Sequence, residues 1–135
     1  LHGKKKGRIK IKDKTRIDKD ESERHYKQKI RISKIFVRHG WTATVEKRLP
    51  YLLVGLRETF RIRYRADIFA VKGDRKIICE VDGYKGHKSS QAKNLQTLRL
   101  RRIREKYGSG IEEYRFTLQR LSKWNDKEIA EEMEL

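Results

Sequence analysis

Residues 67–82 read DIFAVKGDRKIICEVD, two apolar runs joined at Gly73-Asp74 and carrying acids at Asp67, Glu80 and Asp82. Gly-Asp between two such runs predicts a hairpin turn. Strand side chains alternate faces, so Lys76, Ile78, Glu80 and Asp82 share one face while Ile77, Cys79 and Val81 share the other. Two carboxylates two residues apart on an apolar strand repel one another and lose hydration, which is costly unless something offsets it. A divalent cation held by oxygen ligands is one offset. Ion pairing with neighbouring arginines, on a plain surface hairpin, is the other.

Charge favours a polyanionic partner. Among 135 residues, 36 Lys and Arg face 19 acids, for a formal net charge of +17. Balanced charge would serve solubility as well, so the excess points to nucleic acid. The length fits one domain. With 41% charged and 36% hydrophobic residues the core must be thin, one sheet with a few helices against it. Cys79 is the only cysteine, which excludes an internal disulfide and a thiolate zinc site. It reads as a small core hydrophobe in a reducing, cytoplasmic setting, prokaryotic or the host cytoplasm of a virus. No apolar stretch is long enough for a bilayer, so no membrane association is expected. Leu stands first rather than Met, and a fragment of a longer chain is expected.

Working outward from the hairpin, residues 1–19 form a basic arm and residues 20–135 the folded domain. A first helix is predicted from about Asp20 to His39, capped by Asp20 or Ser22 and stopped by Gly40. A strand over Thr42–Arg48 follows, then a turn around Pro50 to Gly55. A long strand from Thr59 to Val71 would place Phe60, Ile62, Tyr64, Ala66, Ile68 and Ala70 on one face and Arg61, Arg63, Arg65 and Asp67 on the other. After the hairpin comes a polar loop, Gly83 to Ser90. A second, basic helix runs to Tyr107, with Ala92, Leu95, Ile103 and Tyr107 as its apolar stripe and Gly108 as its stop. A strand over Tyr114–Leu121 and a short acidic helix over Asn125–Met133 close the chain. The order αβββαβ, with a helix between the third and fourth strands, calls for a mixed four-stranded sheet flanked by helices, plus a short C-terminal helix.

On its strand Asp67 stands 13 residues before Glu80, a spacing that suits a hairpin. This Asp, the later acid and the αβββαβ order together resemble the PD-(D/E)xK nuclease superfamily, with its restriction-endonuclease-like fold. Within it the chain is most similar to the small very-short-patch-repair-like endonuclease domains. These read Glu-x-Asp-Gly, a His, then a helix with Asp-x-x-Arg-x-x-x-Leu. Here the corresponding residues are Glu80-Val81-Asp82-Gly83, His87 and Gln96-x-x-Arg99-x-x-x-Ile103. The resemblance spans about Glu21 to Glu132.

The resemblance implies a Mg²⁺- or Mn²⁺-dependent deoxyribonuclease. Asp67 and Glu80 would be metal ligands, with Asp82, the Val81 carbonyl and Glu23 at the first helix start as further candidates. Asp82 occupies the place of the usual catalytic lysine, so Lys85, His87 or Lys88 from the following loop would supply the missing positive group. Gln96 replaces the family's Asp. Gln96 and Arg99 would contact substrate, Arg61, Arg63 and Arg65 would position phosphate, and Tyr84 would stack on a base. Trp41 and Trp124 read as packing residues. DNA is expected over RNA, with low sequence specificity or recognition of a structure. A homodimer is compatible with the paired cuts that double-strand cleavage needs. The rival is a non-catalytic nucleic-acid-binding module of the same fold, which would bind with the same salt sensitivity and never cut.

Overall fold

Ser22 and Ser89 start the two long helices, and glycines follow their ends. The computed structural model describes residues 7–11, 22–83 and 89–135. Helix α1 spans Glu23–Arg38, its Ser22 hydroxyl accepting from the His25 N–H, and Gly40 turns the chain with φ 86°. Helix α2 spans Ser90–Tyr107, with Ser89 accepting from the Ala92 N–H and Gly108 at φ 142°.

Between them lie β2 (Thr42–Arg48), β3 (Tyr51–Val54), β4 (Thr59–Ile62), β5 (Arg65–Lys72) and β6 (Arg75–Asp82); β1 (Arg8–Ile11) precedes α1. Strand β7 (Glu112–Thr117) and the short helices α3 (Leu118–Lys123) and α4 (Asp126–Glu132) complete the chain. The main sheet runs β1-β2-β5-β6-β7, and β3 and β4 form a separate two-stranded sheet. Strand β5 pairs antiparallel with β2 on one side and β6 on the other, while β1 joins β2 and β7 joins β6 in parallel. The parallel β6–β7 pair is the one the intervening helix α2 permits.

The architecture is α/β with a mixed sheet, as the sequence predicts, and five details differ. The sheet has five strands, because residues 8–11 of the basic arm pair with β2. Gly7 makes that approach feasible: a Cβ there would lie 1.9 Å from the Trp41 carbonyl oxygen. The expected strand Thr59–Val71 is two strands, and the expected turn at Pro50–Gly55 contains β3. Tyr64 turns inward at the break, where its carbonyl accepts from the Leu49 N–H at 2.8 Å. The last strand ends at Thr117, whose hydroxyl caps α3 by accepting from the Arg120 N–H. Leu95 is exposed, so the buried face of α2 rests on Ile103 instead.

Two small cores enclose the sheet. On one face, Ile68, Ala70, Ile77, Cys79, Val81 and Phe116 pack against Ile32, Ile35 and Phe36 of α1 and against α3 and α4. Trp41 belongs to this core, and Trp124 packs against it. On the other, Ile78 meets Ile103 and Ile111, together with Leu49, Tyr51 and Tyr64. Strand β6 is thus apolar on both faces, so its one buried carboxylate stands out. Arg31 ties the C-terminal helices to α1, donating to the carbonyls of Leu121 (2.7 Å) and Trp124 (2.6 Å) and to Asp126 (2.8 Å). Among the described residues no helix is long and apolar enough to cross a membrane.

Candidate active site

Both ladders that flank β5 are interrupted at Asp67. The β5–β6 pairing runs from Lys72 and Arg75 to Ile68 and Cys79 and stops there, one step short of Asp67 and Glu80. Side chains take over from the backbone. The Asp67 N–H donates to Glu80 Oε1 at 3.2 Å, and the Val81 N–H donates to Asp67 Oδ2 at 2.8 Å. On the other edge, β2 pairs with β5 at Val45–Ile68 and again at Lys47–Ala66, omitting Glu46 and Asp67. Glu46 has φ 56°, a left-handed conformation that a glutamate seldom adopts and that marks local strain.

Basic side chains reach this gap from α1. Lys29 lies on the buried stripe of the helix and is 3% exposed. Its Nζ is 3.3 Å from Glu46 Oε1 and 3.5 Å from Asp67 Oδ1. One turn earlier, His25 Nε2 donates to the Val81 carbonyl. From the opposite layer, the Arg99 guanidinium lies 4.8 Å above the ring of Tyr64, whose O–H donates to Glu80 Oε1 at 2.5 Å. Among the described residues, Arg99 Nε is the buried side-chain polar atom without a hydrogen-bond partner. Arg115 on β7 pairs with Asp82 at 2.9 Å and with Glu113 at 3.1 Å.

His25, Asp67, Glu80, Asp82, Gln96 and Arg99 line a cavity of about 420 Å³. The electrostatics follow from burial. Removal from water, and then the neighbouring Asp67 carboxylate, push Glu80 up to about 8, against the opposing bond from Tyr64. Burial and then Glu80 also raise the Tyr64 phenol. Burial works against the Arg115 cation, but Glu113 and Asp82 outweigh it and hold its pKa above the ordinary value. A second cavity of about 480 Å³ is lined by Arg48, Pro50, Arg61, Arg63, Tyr64 and Arg65.

The fold thus brings Asp67, Glu80, Asp82, Gln96 and Arg99 to one cavity. Arg61, Arg63 and Arg65 do not share it: the break at Tyr64 sends them to the neighbouring cleft. Glu23 is exposed and pairs with Lys27 at 3.1 Å. Tyr84, Lys85, His87 and Lys88 lie outside the described residues. Sequence reasoning missed Lys29, His25, Glu46 and Tyr64. Lys29 was findable, since it precedes Ile32, Ser33 and Phe36 by three, four and seven residues and so lies on the buried stripe. No protein-family model and no curated protein matches the chain.

Hard oxygen donors in a concave site suit Mg²⁺ or Mn²⁺ better than a softer metal. Among the described residues no three His, Cys, Asp or Glu side chains gather as a metal-holding group. The oxygens at the gap that could hold such an ion are the carboxylates of Asp67 and Glu80 and the Val81 carbonyl. Asp82 already has a cation in Arg115. A buried carboxylate pushed toward its neutral form by a second carboxylate is the arrangement that a bound cation relieves.

Proposed function

We propose that the chain is a metal-dependent nuclease of the PD-(D/E)xK type that hydrolyses phosphodiester bonds in DNA. The observation that carries this reading is the break in the sheet at Asp67 and Glu80. Two carboxylates hold strand ends apart beneath a cavity edged by Arg99 and Gln96, in a chain of net charge +17. Asp67, Glu80 and the Val81 carbonyl would hold Mg²⁺ or Mn²⁺, which when bound lowers the pKa of a water and polarises the phosphate.

The chain's own residues supply the rest. Lys29 orients Asp67 and brings to the site the positive charge that position 82 lacks. His25 fixes the Val81 carbonyl. Arg99, whose Nε has no partner among the described residues, binds a phosphate oxygen, and its stacking on Tyr64 sets its height above Glu80. Arg48, Arg61, Arg63 and Arg65 hold the adjoining backbone, which fixes position without reading sequence. Paired cuts in a duplex would require two copies of the site.

The test is cleavage of supercoiled and linear DNA with Mg²⁺, Mn²⁺ or EDTA, comparing the parent with Glu80→Gln. Metal-dependent cutting by the parent alone, with DNA bound by both proteins, is the expected result. One feature favours a second reading, a binding module without catalysis: Asp67 and Asp82 already have Lys29 and Arg115 as partners. Salt-sensitive binding with no cutting in any metal would establish that second reading and refute the first.

A further inference from the structure

The β3–β4 hairpin leaves its apolar side chains outside the fold. Tyr51 pairs with Ile62, Leu52 with Arg61, Leu53 with Phe60 and Val54 with Thr59. Residues opposite one another in an antiparallel pair share a face. Tyr51 and Ile62 anchor one face to the core beneath α2. The Tyr107 hydroxyl and Lys106 Nζ hold the hairpin base, donating to the Pro50 carbonyl at 2.6 and 3.0 Å. Toward the tip nothing in the described protein covers the apolar groups. Leu52 is 58% exposed, Val54 73%, Phe60 46%, and Leu56, in the connection closed by the Gly55–Glu58 bond, is fully exposed.

Charge selects what can cover them. Residues 48–66 hold five arginines and one acid, Glu58. A second copy of the chain docking on this face would crowd two sets of arginines together, whereas a polyanion satisfies both the arginines and the apolar tip. The cleft lined by Arg48, Arg61, Arg63 and Arg65 is continuous with the hairpin base. It also shares Tyr64 with the candidate active site, where the Tyr64 hydroxyl meets Glu80. Leu, Val and Phe have no groups with which to read the donors and acceptors of a groove. They gain by covering base faces, which an intact duplex keeps stacked against one another.

We infer that the β3–β4 hairpin is a base-contacting element that gives this site a preference for DNA with unpaired bases over continuous duplex. The inference rests on the nucleic-acid reading proposed above and adds the substrate structure. Phosphates run through the arginine cleft toward Glu80, while Leu56, Phe60 and their neighbours pack against exposed bases.

The test measures binding in EDTA, so that no cleavage intervenes. Fluorescence anisotropy would compare a fully paired duplex with the same duplex carrying an unpaired bubble. The parent is expected to bind the bubble at least about tenfold more tightly. Leu56→Ser/Phe60→Ser should narrow that ratio to about twofold or less, with melting temperature as the control for folding. Arg61→Ala/Arg63→Ala should weaken both complexes alike and flatten their salt dependence. A parent without preference, or a Leu56→Ser/Phe60→Ser protein that keeps it, overturns the inference. So does a Leu56→Ser/Phe60→Ser protein with unchanged DNA binding and lost self-association in sedimentation, which would make the hairpin a contact between copies. Duplex cleavage without bubble preference would sink this inference alone. Bubble preference without cleavage would sustain it and sink the nuclease reading.

Discussion

Replacing Glu80 by Gln should stabilise the metal-free protein at alkaline pH. Glu80 is 8% exposed, and burial with Asp67 beside it moves its carboxyl from an ordinary 4.5 to about 8. The fold therefore prefers the protonated form. This contribution is intact below the unfolded pKa near 4.5 and is lost as pH rises through about 8. At about 1.4 kcal/mol per pH unit, the window corresponds to at most roughly 5 kcal/mol. Gln keeps a carbonyl oxygen where Glu80 Oε1 accepts from Tyr64 and from the Asp67 N–H, and it carries no charge. In EDTA, urea unfolding of the parent should thus weaken between pH 5 and 8, while Glu80→Gln stays nearly flat and overtakes it. For a chain of this size the gap is on the order of 10 °C in Tm. Added Mg²⁺ should recover the parent and leave Glu80→Gln unmoved. A parent whose metal-free stability is level across that window, or a Gln variant weaker than the parent at pH 8, would refute the reasoning.

Lys29→Met would remove an almost wholly buried cation from Asp67 and Glu46, leaving Glu46 the longer contact to Arg65 at 3.7 Å, and roughly 3–5 kcal/mol of destabilisation at neutral pH is expected in denaturant titration. Arg75 grips both oxygens of Glu112, at 2.6 and 2.8 Å, and the carbonyls of Met133 and Glu134, so Arg75→Ala should cost about 2–3 kcal/mol. The bond from Arg75 holds the Glu112 carboxyl below its ordinary range, which means stability is lost as pH falls; acid melts should show that loss blunted in Arg75→Ala. Gly7→Ala would force a Cβ to within 1.9 Å of the Trp41 carbonyl oxygen, and limited trypsin digestion should then nick the chain after Arg8 well before the core opens.

Where local chemistry dictates the element, the sequence was readable. Gly73 takes φ 57° in the hairpin turn, Ser22 and Ser89 cap their helices, and Asn125 forms a reciprocal capping box with Glu128. Elsewhere two signals competed. Alternation from Phe60 to Ala70 runs straight through Arg63-Tyr64, so nothing local separates β4 from β5. Tyr114, Phe116 and Leu118 continue a strand period across the point where Thr117 begins a helix. Asp67 and Glu80 were legible because a hairpin joins them. His25, Lys29 and Glu46 reach the same site from elements distant in sequence, His25 and Lys29 through the packing of α1 beneath the sheet and Glu46 through the pairing of β2 with β5. Arg61, Arg63 and Arg65 line the neighbouring cleft together, with Arg65 also reaching Glu46 at 3.7 Å, because their direction depends on the break at Tyr64.

The reciprocal bonds between Asp67 and the β6 end act as a wedge in a zipper. The β5–β6 ladder stops where Asp67 Oδ2 holds the Val81 N–H and Glu80 Oε1 holds the Asp67 N–H. Cutting Asp67 back to alanine frees the Val81 N–H, and cutting Glu80 back frees the Asp67 N–H, so the strand ends can then draw together and narrow the cleft. An inactive alanine variant would report a zipped sheet as readily as a lost ligand, whereas Asn at 67 or Gln at 80 keeps the teeth apart and isolates the charge.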